Sequence, residues 1–119
     1  MVYVLVMKMK ELEKKIRYSK LFAIYNPLLS STQKEMMEDY FNLDLSLSEI
    51  ASNRNVSRSA VDDAIKKAIN KLDEFEDNMH LLEKNENIKK ELESLKEKAL
   101  NLQEIEEIEK IEKELDYGI

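Results

Sequence analysis

The stretch SLSEIASNRNVSRSAVDDAIKKA, residues 46–68, decides the fold because it contains two short helical patterns on either side of a compact turn. Ser46 is followed three residues later by Glu49, which is the spacing of a capping box at the start of a helix. Ser57 comes directly after the turn at 53–56, where its hydroxyl can cap a second helix. The two caps therefore predict a helix of barely two turns, a tight turn and a longer helix.

Apolar residues in the same stretch fit the packing of a helix-turn-helix. Ala51 is small enough to lie where the two helices cross, and Val56 can fill the turn. Val61 and Ile65 can anchor the second helix beneath the first. Asn55 occupies a turn position where glycine is usual, and asparagine tolerates the positive φ angle that such a turn requires. We therefore predict a helix-turn-helix in this stretch.

The composition predicts the fold class of the whole chain. The 119 residues include one glycine and one proline, against 37% charged residues, so few residues favour the turns of a β-sandwich or barrel. We predict one small all-α domain with at most one appendage. The absence of cysteine excludes disulfides and thiolate chemistry and indicates a reducing compartment, so we predict a cytoplasmic protein.

The apolar start MVYVLVM does not have the properties of a membrane segment. It is far shorter than the ~20 residues that span a bilayer, and its lysines follow it rather than precede it as in a signal peptide. We therefore predict no membrane span. A helical pattern begins only at Met9, so residues 1–8 are interpreted as a start-site ambiguity with a non-native beginning.

Two helices are predicted ahead of the helix-turn-helix. The first runs from Met9 to Tyr25, where the following Asn-Pro pair ends it. Its apolar residues fall on two opposite sides, so it needs a second covering surface besides its own core. Thr32 and Glu35 have capping-box spacing and predict the start of a second helix that stops near Asn42.

The helix after the turn carries the strongest periodic signal, because its apolar residues recur in steps of four and three from Val61 to Leu82. The polar stretch at 83–87 then predicts a hinge. Beyond it, similar spacing predicts one long acidic amphipathic helix of the coiled-coil type over 88–117, with one shortened step. We therefore divide the chain into a helix-turn-helix domain at 9–85 and this long helix.

The sequence around the motif resembles the YlxM-like family of small bacterial proteins over residues 9–85. The matching elements are YNPLL at 25–29, DLSLSEIA at 44–51 and VSRSAV at 56–61. The resemblance implies a helix-turn-helix like that of sigma-factor region 4 and a DNA-binding regulatory role. It also implies a link to the signal recognition particle pathway, because family members are encoded beside signal recognition particle genes in low-GC Gram-positive bacteria and mycoplasmas.

The distribution of charge predicts how tightly the chain would bind DNA. The net charge is -6, but residues 46–72 carry +2 whereas residues 73–119 carry -9. A local excess of only +2 predicts weak and strongly salt-sensitive binding to DNA phosphates. The residues predicted to contact DNA are those on the turn and on the outward side of the second helix: Arg54, Ser57, Arg58, Ser59, Asp62, Asp63, Lys66 and Lys67.

Asp62 and Asp63 are unusual on a helix that reads DNA, and they leave two interpretations open. Each precedes a lysine by four residues, Lys66 or Lys67, which predicts ion pairs along the helix surface. Alternatively, a carboxylate can accept a hydrogen bond from a cytosine amino group. The rival function is a protein-docking module whose carboxylates recognise a basic signal recognition particle component. A further hypothesis is that the acidic tail covers the basic face and inhibits binding.

We expect a homodimer, because the first helix and the seam of the fourth helix offer more apolar surface than a small core can cover. A monomer whose tail helix folds back on the fourth helix is the alternative. The residues predicted to form the dimer interface are Tyr18, Leu21, Phe22, Tyr25, Leu72, Phe75, Met79 and Leu82.

The residues typical of catalytic and cofactor sites are sparse in this sequence. His80 is the only histidine and has no nucleophile at a suggestive spacing, and a single glycine cannot form a phosphate-binding loop. The carboxylates of the tail are typical of a solvated helix surface rather than of a metal site. We therefore predict that the protein is not an enzyme and uses no cofactor or metal.

Overall fold

A computed structural model describes residues 2–116, and all regular structure in that range is helical. The all-α fold class is therefore confirmed. A 3-10 turn at Asn26–Leu28 follows the first helix, and a π turn at Glu38–Asn42 extends the second. The six α-helices are α1 (Val2–Tyr25), α2 (Ser31–Met37), α3 (Leu47–Arg54), α4 (Arg58–Met79), α5 (Leu81–Glu97) and α6 (Leu102–Asp116).

The first helix ends where the sequence predicts, but it begins earlier. It stops at Tyr25, and the 3-10 turn that follows contains Pro27. The prediction that helical structure begins only at Met9 is wrong, because α1 already includes residues 2–8. That segment contains no glycine or proline, and its valines weaken a helix only slightly, so the helix can extend through it.

The second helix has a capping box, but not the predicted one. The Ser30 hydroxyl accepts from the Gln33 backbone N–H at 3.3 Å, and the Gln33 side chain accepts from the Ser30 N–H at 3.2 Å. Thr32 and Glu35 have the same spacing, but the Glu35 carboxylate instead accepts from Arg54 Nη1 at 3.0 Å. The helical segment ends at Asn42 as predicted, in the π turn.

The chain divides into two compact units between Asn78 and Met79. The core of the first unit is apolar and draws on all four of its α-helices. The buried apolar residues on these helices are Leu21, Phe22, Tyr25, Met36, Met37, Ile50, Ala51, Val61, Ile65, Ala68 and Leu72.

A buried polar pair joins α1 to α4 within this core. The Tyr25 hydroxyl donates to Glu76 Oε1 at 2.7 Å, and the two residues are only 1% and 6% exposed. The Tyr25 ring also packs against Phe75, with ring centroids 5.8 Å apart. Two helical turns earlier on α1 and one turn earlier on α4, the half-buried Tyr18 hydroxyl donates to Asp73 Oδ2 at 2.9 Å. These bonds fix which side of α1 faces the core.

The fourth helix ends earlier than predicted, and residues 83–87 do not form the predicted hinge. The helix stops at Met79 rather than Leu82, because His80 adopts a left-handed conformation with φ of 55°. The polar stretch 83–87 is continuous helix inside α5. Glutamate and lysine favour a helix and asparagine weakens it only slightly, whereas a left-handed residue interrupts its backbone hydrogen bonds.

The tail forms a pair of helices instead of the single helix predicted over 88–117. The chain turns at 98–101 between α5 and α6, and the Asn101 side chain accepts from the Glu104 N–H at 2.9 Å as a cap for α6. Within this unit Lys96 bridges the two helices, with its Nζ 3.3 Å from both Glu109 and Glu112. The shortened apolar spacing after Leu102 therefore lies within a separate helix, α6, rather than in an overwound part of one long coiled coil.

Replacing Tyr25 by phenylalanine tests the buried bond. Loss of a buried hydrogen bond to a carboxyl group should lower the free energy of unfolding by about 1.5–3 kcal/mol, measured by urea denaturation. Tyr18→Phe is the matched control, since it removes the same hydroxyl from a more exposed pair and should cost clearly less. Equal losses in the two variants would contradict a dominant role for the Tyr25 bond.

Candidate nucleic-acid interface

Both predicted caps of the helix-turn-helix are present. Ser46 accepts from the Glu49 N–H at 3.1 Å and the Glu49 carboxylate accepts from the Ser46 N–H at 3.2 Å, so the capping box opens α3. Ser57 accepts from the Ala60 N–H at 3.1 Å and caps α4. These short-range bonds start the two helices at the residues that the sequence indicates.

The turn between α3 and α4 is closed by backbone hydrogen bonds. Asn55 has φ of 59°, and its N–H donates to the Ser52 carbonyl at 3.4 Å. The Val56 N–H donates to the Ala51 carbonyl at 3.0 Å, which completes a Schellman motif. The prediction that Val56 fills the turn is wrong, because its side chain is 42% exposed. Buried apolar side chains on α3 and α4 hold the two helices together instead, and Val56 does not contribute to this core.

Arg54 connects the motif to the preceding helical segment. Its Nε donates to Asp39 Oδ2 at 2.7 Å and its Nη1 donates to Glu35 Oε2 at 3.0 Å. Asp39 is only 9% exposed, and its hydrogen bond raises the pKa of the Arg54 guanidinium. The structure thus places Arg54 in an intramolecular ion-pair cluster, away from the outward side of α4. Its partners lie 15 and 19 residues earlier, beyond the reach of sequence spacing.

The outward side of α4 carries both aspartates and both lysines. Asp62 pairs with Lys66 at 2.8 Å and Asp63 pairs with Lys67 at 3.0 Å, as the four-residue spacing predicts. The hydrogen bond from Asp62 raises the pKa of Lys66. The two lysine side chains are 71% and 67% exposed, so water screens both pairs and each lysine can exchange its carboxylate for another anion.

Three further polar residues border this outward side. Ser59 and Arg58 are exposed on the first turn of α4, and within residues 2–116 no carboxylate pairs with Arg58. Lys71 was not among the predicted contact residues, and its Nζ donates to Gln33 Oε1 at 3.3 Å. Residues 58–71 of α4 therefore offer four cations and two carboxylates, and contact of these residues with DNA remains a prediction.

The residues predicted to form a dimer interface are mostly covered by the chain itself. Four of them, on α1 and α4, are core residues of the first unit, because α1 turns this side toward α4. Phe75 is half-buried against Tyr25, and Met79 is 37% exposed. The four core residues are Leu21, Phe22, Tyr25 and Leu72, with exposures of 0%, 4%, 1% and 0%. The other two predicted residues are Leu82, which is 8% exposed, and Tyr18, which is half-buried.

The single histidine of the sequence lies outside the outward side of α4. His80 Nδ1 lies 3.3 Å from Glu83 Oε2 on an exposed surface. Residues 2–116 contain no group of three or more histidine, aspartate or glutamate side chains placed to hold a metal ion. None of the helices in that range has the length and apolar character needed to cross a membrane.

The Asn55 position tests the geometry of the turn. Asn55→Ala should lower the free energy of unfolding by roughly 1 kcal/mol, because a Cβ-bearing residue without asparagine's local hydrogen bonding disfavours the left-handed region. Asn55→Gly, which adopts this conformation freely, should be neutral or stabilising. Urea denaturation of both variants is the measurement, and equal stability of the alanine and glycine variants would contradict the assigned turn.

Comparisons with known proteins show which family this chain resembles. The family model UPF0122, described as "Putative helix-turn-helix protein, YlxM / p13 like", matches residues 12–113. A UPF0122 protein of Fusobacterium nucleatum is 46% identical over 77 residues, covering 65% of this chain and 75% of that protein. One from Mycoplasma capricolum is 46% identical over 82 residues, covering 67% of this chain and 73% of that protein.

Proposed function

The chain belongs to the UPF0122 family of YlxM/p13-like helix-turn-helix proteins, and on that basis we propose that it is a DNA-binding regulatory protein whose recognition helix is α4. In helix-turn-helix proteins the second helix lies in the major groove, and its N-terminal residues contact base edges. Here the second helix begins at Arg58, and its first turn is exposed.

The observation that carries the proposal is the exposed first turn of α4 with an unpaired cation on it. Ser57, Arg58 and Ser59 lie together at the N-terminal end of the helix, where the macrodipole favours a phosphate. Arg58 has no carboxylate partner among the described residues, so binding a phosphate would break no ion pair. Two serine hydroxyls beside it can donate to phosphate or base edges.

The aspartates limit the affinity. Lys66 and Lys67 can turn to phosphates, but each leaves behind a carboxylate that the DNA backbone repels. The binding free energy therefore comes from few phosphate contacts, and it falls quickly as salt is added. Fluorescence anisotropy with mixed-sequence duplex DNA over a salt series measures this directly, and absence of binding at the lowest salt would contradict the proposal.

Replacing Arg58 by alanine should weaken DNA binding and lower the salt slope of log K by about 0.9, the contribution of one phosphate contact. Arg17→Ala is the matched control, because Arg17 is an exposed arginine of the same compact unit on a different helix. The control should bind like the unmodified chain. If Arg58→Ala also binds like the unmodified chain, α4 does not lie in the major groove as proposed.

A second candidate is a docking role in the signal recognition particle pathway. The observation that favours it is the pair of carboxylates on the outward side of α4, with Asp63 64% exposed at its side chain. Carboxylates at this position repel DNA but suit a basic protein surface. In this function Asp62 and Asp63 form the recognition charges, and the partner is a basic signal recognition particle component.

The double variant Asp62→Lys with Asp63→Lys separates the two functions. It should strengthen non-specific DNA binding in either case, because it removes repulsion and adds cations. Binding to purified signal recognition particle should be lost only if the docking role is correct. Glu106→Lys with Glu107→Lys is the control, since it makes the same charge change on exposed tail residues. Unchanged DNA affinity in the Asp62 and Asp63 variant would contradict the placement of these residues near DNA.

A further inference from the structure

The N-terminal part of α1 extends beyond the core of its unit and is exposed on every side over residues 2–14. Along it, apolar side chains recur in steps of three and four and form one stripe. We call these five residues the α1 stripe. Their exposures are Val2 77%, Leu5 61%, Met9 54%, Leu12 59% and Ile16 47%.

The spacing of the α1 stripe is that of a two-stranded coiled coil. Steps of three and four average 3.5 residues, so the five side chains stay on one side of the helix for its whole exposed length. In heptad notation Val2, Met9 and Ile16 occupy a positions, whereas Leu5 and Leu12 occupy d positions. Leucine at both d positions, with a β-branched residue at two of the three a positions, favours two strands when helices pair in parallel.

The charges beside the α1 stripe favour a parallel pair. Lys8 and Lys15 occupy g positions, and Glu13 occupies an e position. In a parallel pair Lys8 lies next to Glu13 of the second copy, on both sides of the two-fold axis. An antiparallel pair would instead bring the lysines at the g positions of both copies together, and these repel one another.

One pair of like charges remains in the parallel arrangement, and a bond within the first unit weakens its repulsion. Lys15 would approach Lys20 of the second copy, which is the next e position. The Lys15 ammonium is bonded within its own chain to Asp44 at 2.6 Å, and it lies 5.2 Å from the centre of the Tyr40 ring. This bond lowers the pKa of Asp44 and directs the lysine charge toward its own unit.

We propose that the α1 stripe binds the same stripe of a second copy in a parallel, two-stranded coiled coil. The interface lies on the side of α1 opposite the core, rather than on the side that the sequence predicts. Because α1 and α4 belong to one compact unit, a parallel pair places the two α4 helices at the same end of the dimer. The dimer itself does not depend on the proposed function. Binding of its two α4 helices to a DNA site with two half-sites does depend on it.

Sedimentation equilibrium of the full chain tests the proposal without DNA. The unmodified chain should show a reversible monomer–dimer equilibrium at micromolar concentration, with a monomer mass of 14.0 kDa. Met9→Glu should shift it to monomer, because it places a carboxylate in the α1 stripe. Val4→Glu is the matched control, since Val4 is also 54% exposed on α1 but lies off the stripe, and it should leave the equilibrium unchanged.

Single cysteines report the direction of the pair, since the chain has no cysteine of its own. Under mild oxidation Leu5→Cys should form a disulfide-linked dimer, because equivalent d positions face each other in a parallel pair. Val4→Cys should not. A purely monomeric chain, a Met9→Glu variant that still dimerises, or cross-linking of Leu5→Cys only to Leu12→Cys would overturn the proposal.

Discussion

The buried hydrogen bond between Tyr25 and Glu76 is the constraint on which the first unit depends. Two polar groups in a small apolar core have few places where both are satisfied, so the bond fixes the rotation of α1 about its own axis. Once this rotation is fixed, one side of α1 packs on α4 and the opposite side is left to solvent. The same contact decides which side of α4 faces inward, and therefore which residues its outward side offers to a partner.

The parts of the fold that sequence spacing predicts correctly are those set by short-range bonds. Ser46 and Ser57 cap helices within three residues of themselves, and Asn55 adopts a conformation that its own side chain permits. The failures have two causes. Ser30 and Thr32 both have capping-box spacing, and in the folded chain Glu35 accepts a hydrogen bond from a distant arginine instead of closing the second box. His80 gives no local sign that it will adopt a left-handed conformation.

Within the candidate site, sequence spacing predicts the contacts along one helix but not the contacts between distant parts of the chain. The four-residue spacing predicts the two ion pairs of α4, because both partners lie on one helix. Arg54 meets carboxylates far away in sequence, so its structural role is visible only in the folded chain. The apolar residues of α1 are visible on both sides from the sequence, but only the packing decides which side is buried. The sequence pattern identifies the apolar sides of a helix, whereas packing of the core determines which of them is buried.

The π turn at Glu38–Asn42 makes this segment tolerant of a change in chain length. The Leu43 N–H donates to the Glu38 carbonyl at 3.1 Å, five residues back, so the turn holds one residue more than an α-helical turn. Deleting one residue within the turn would restore α-helical geometry, and the residues on either side would keep their direction. A deletion in the preceding helix α2 would instead rotate the following side chains by about 100° about the axis, and Asp39 would no longer meet Arg54. We therefore expect a one-residue deletion to be tolerated better within the turn than within α2.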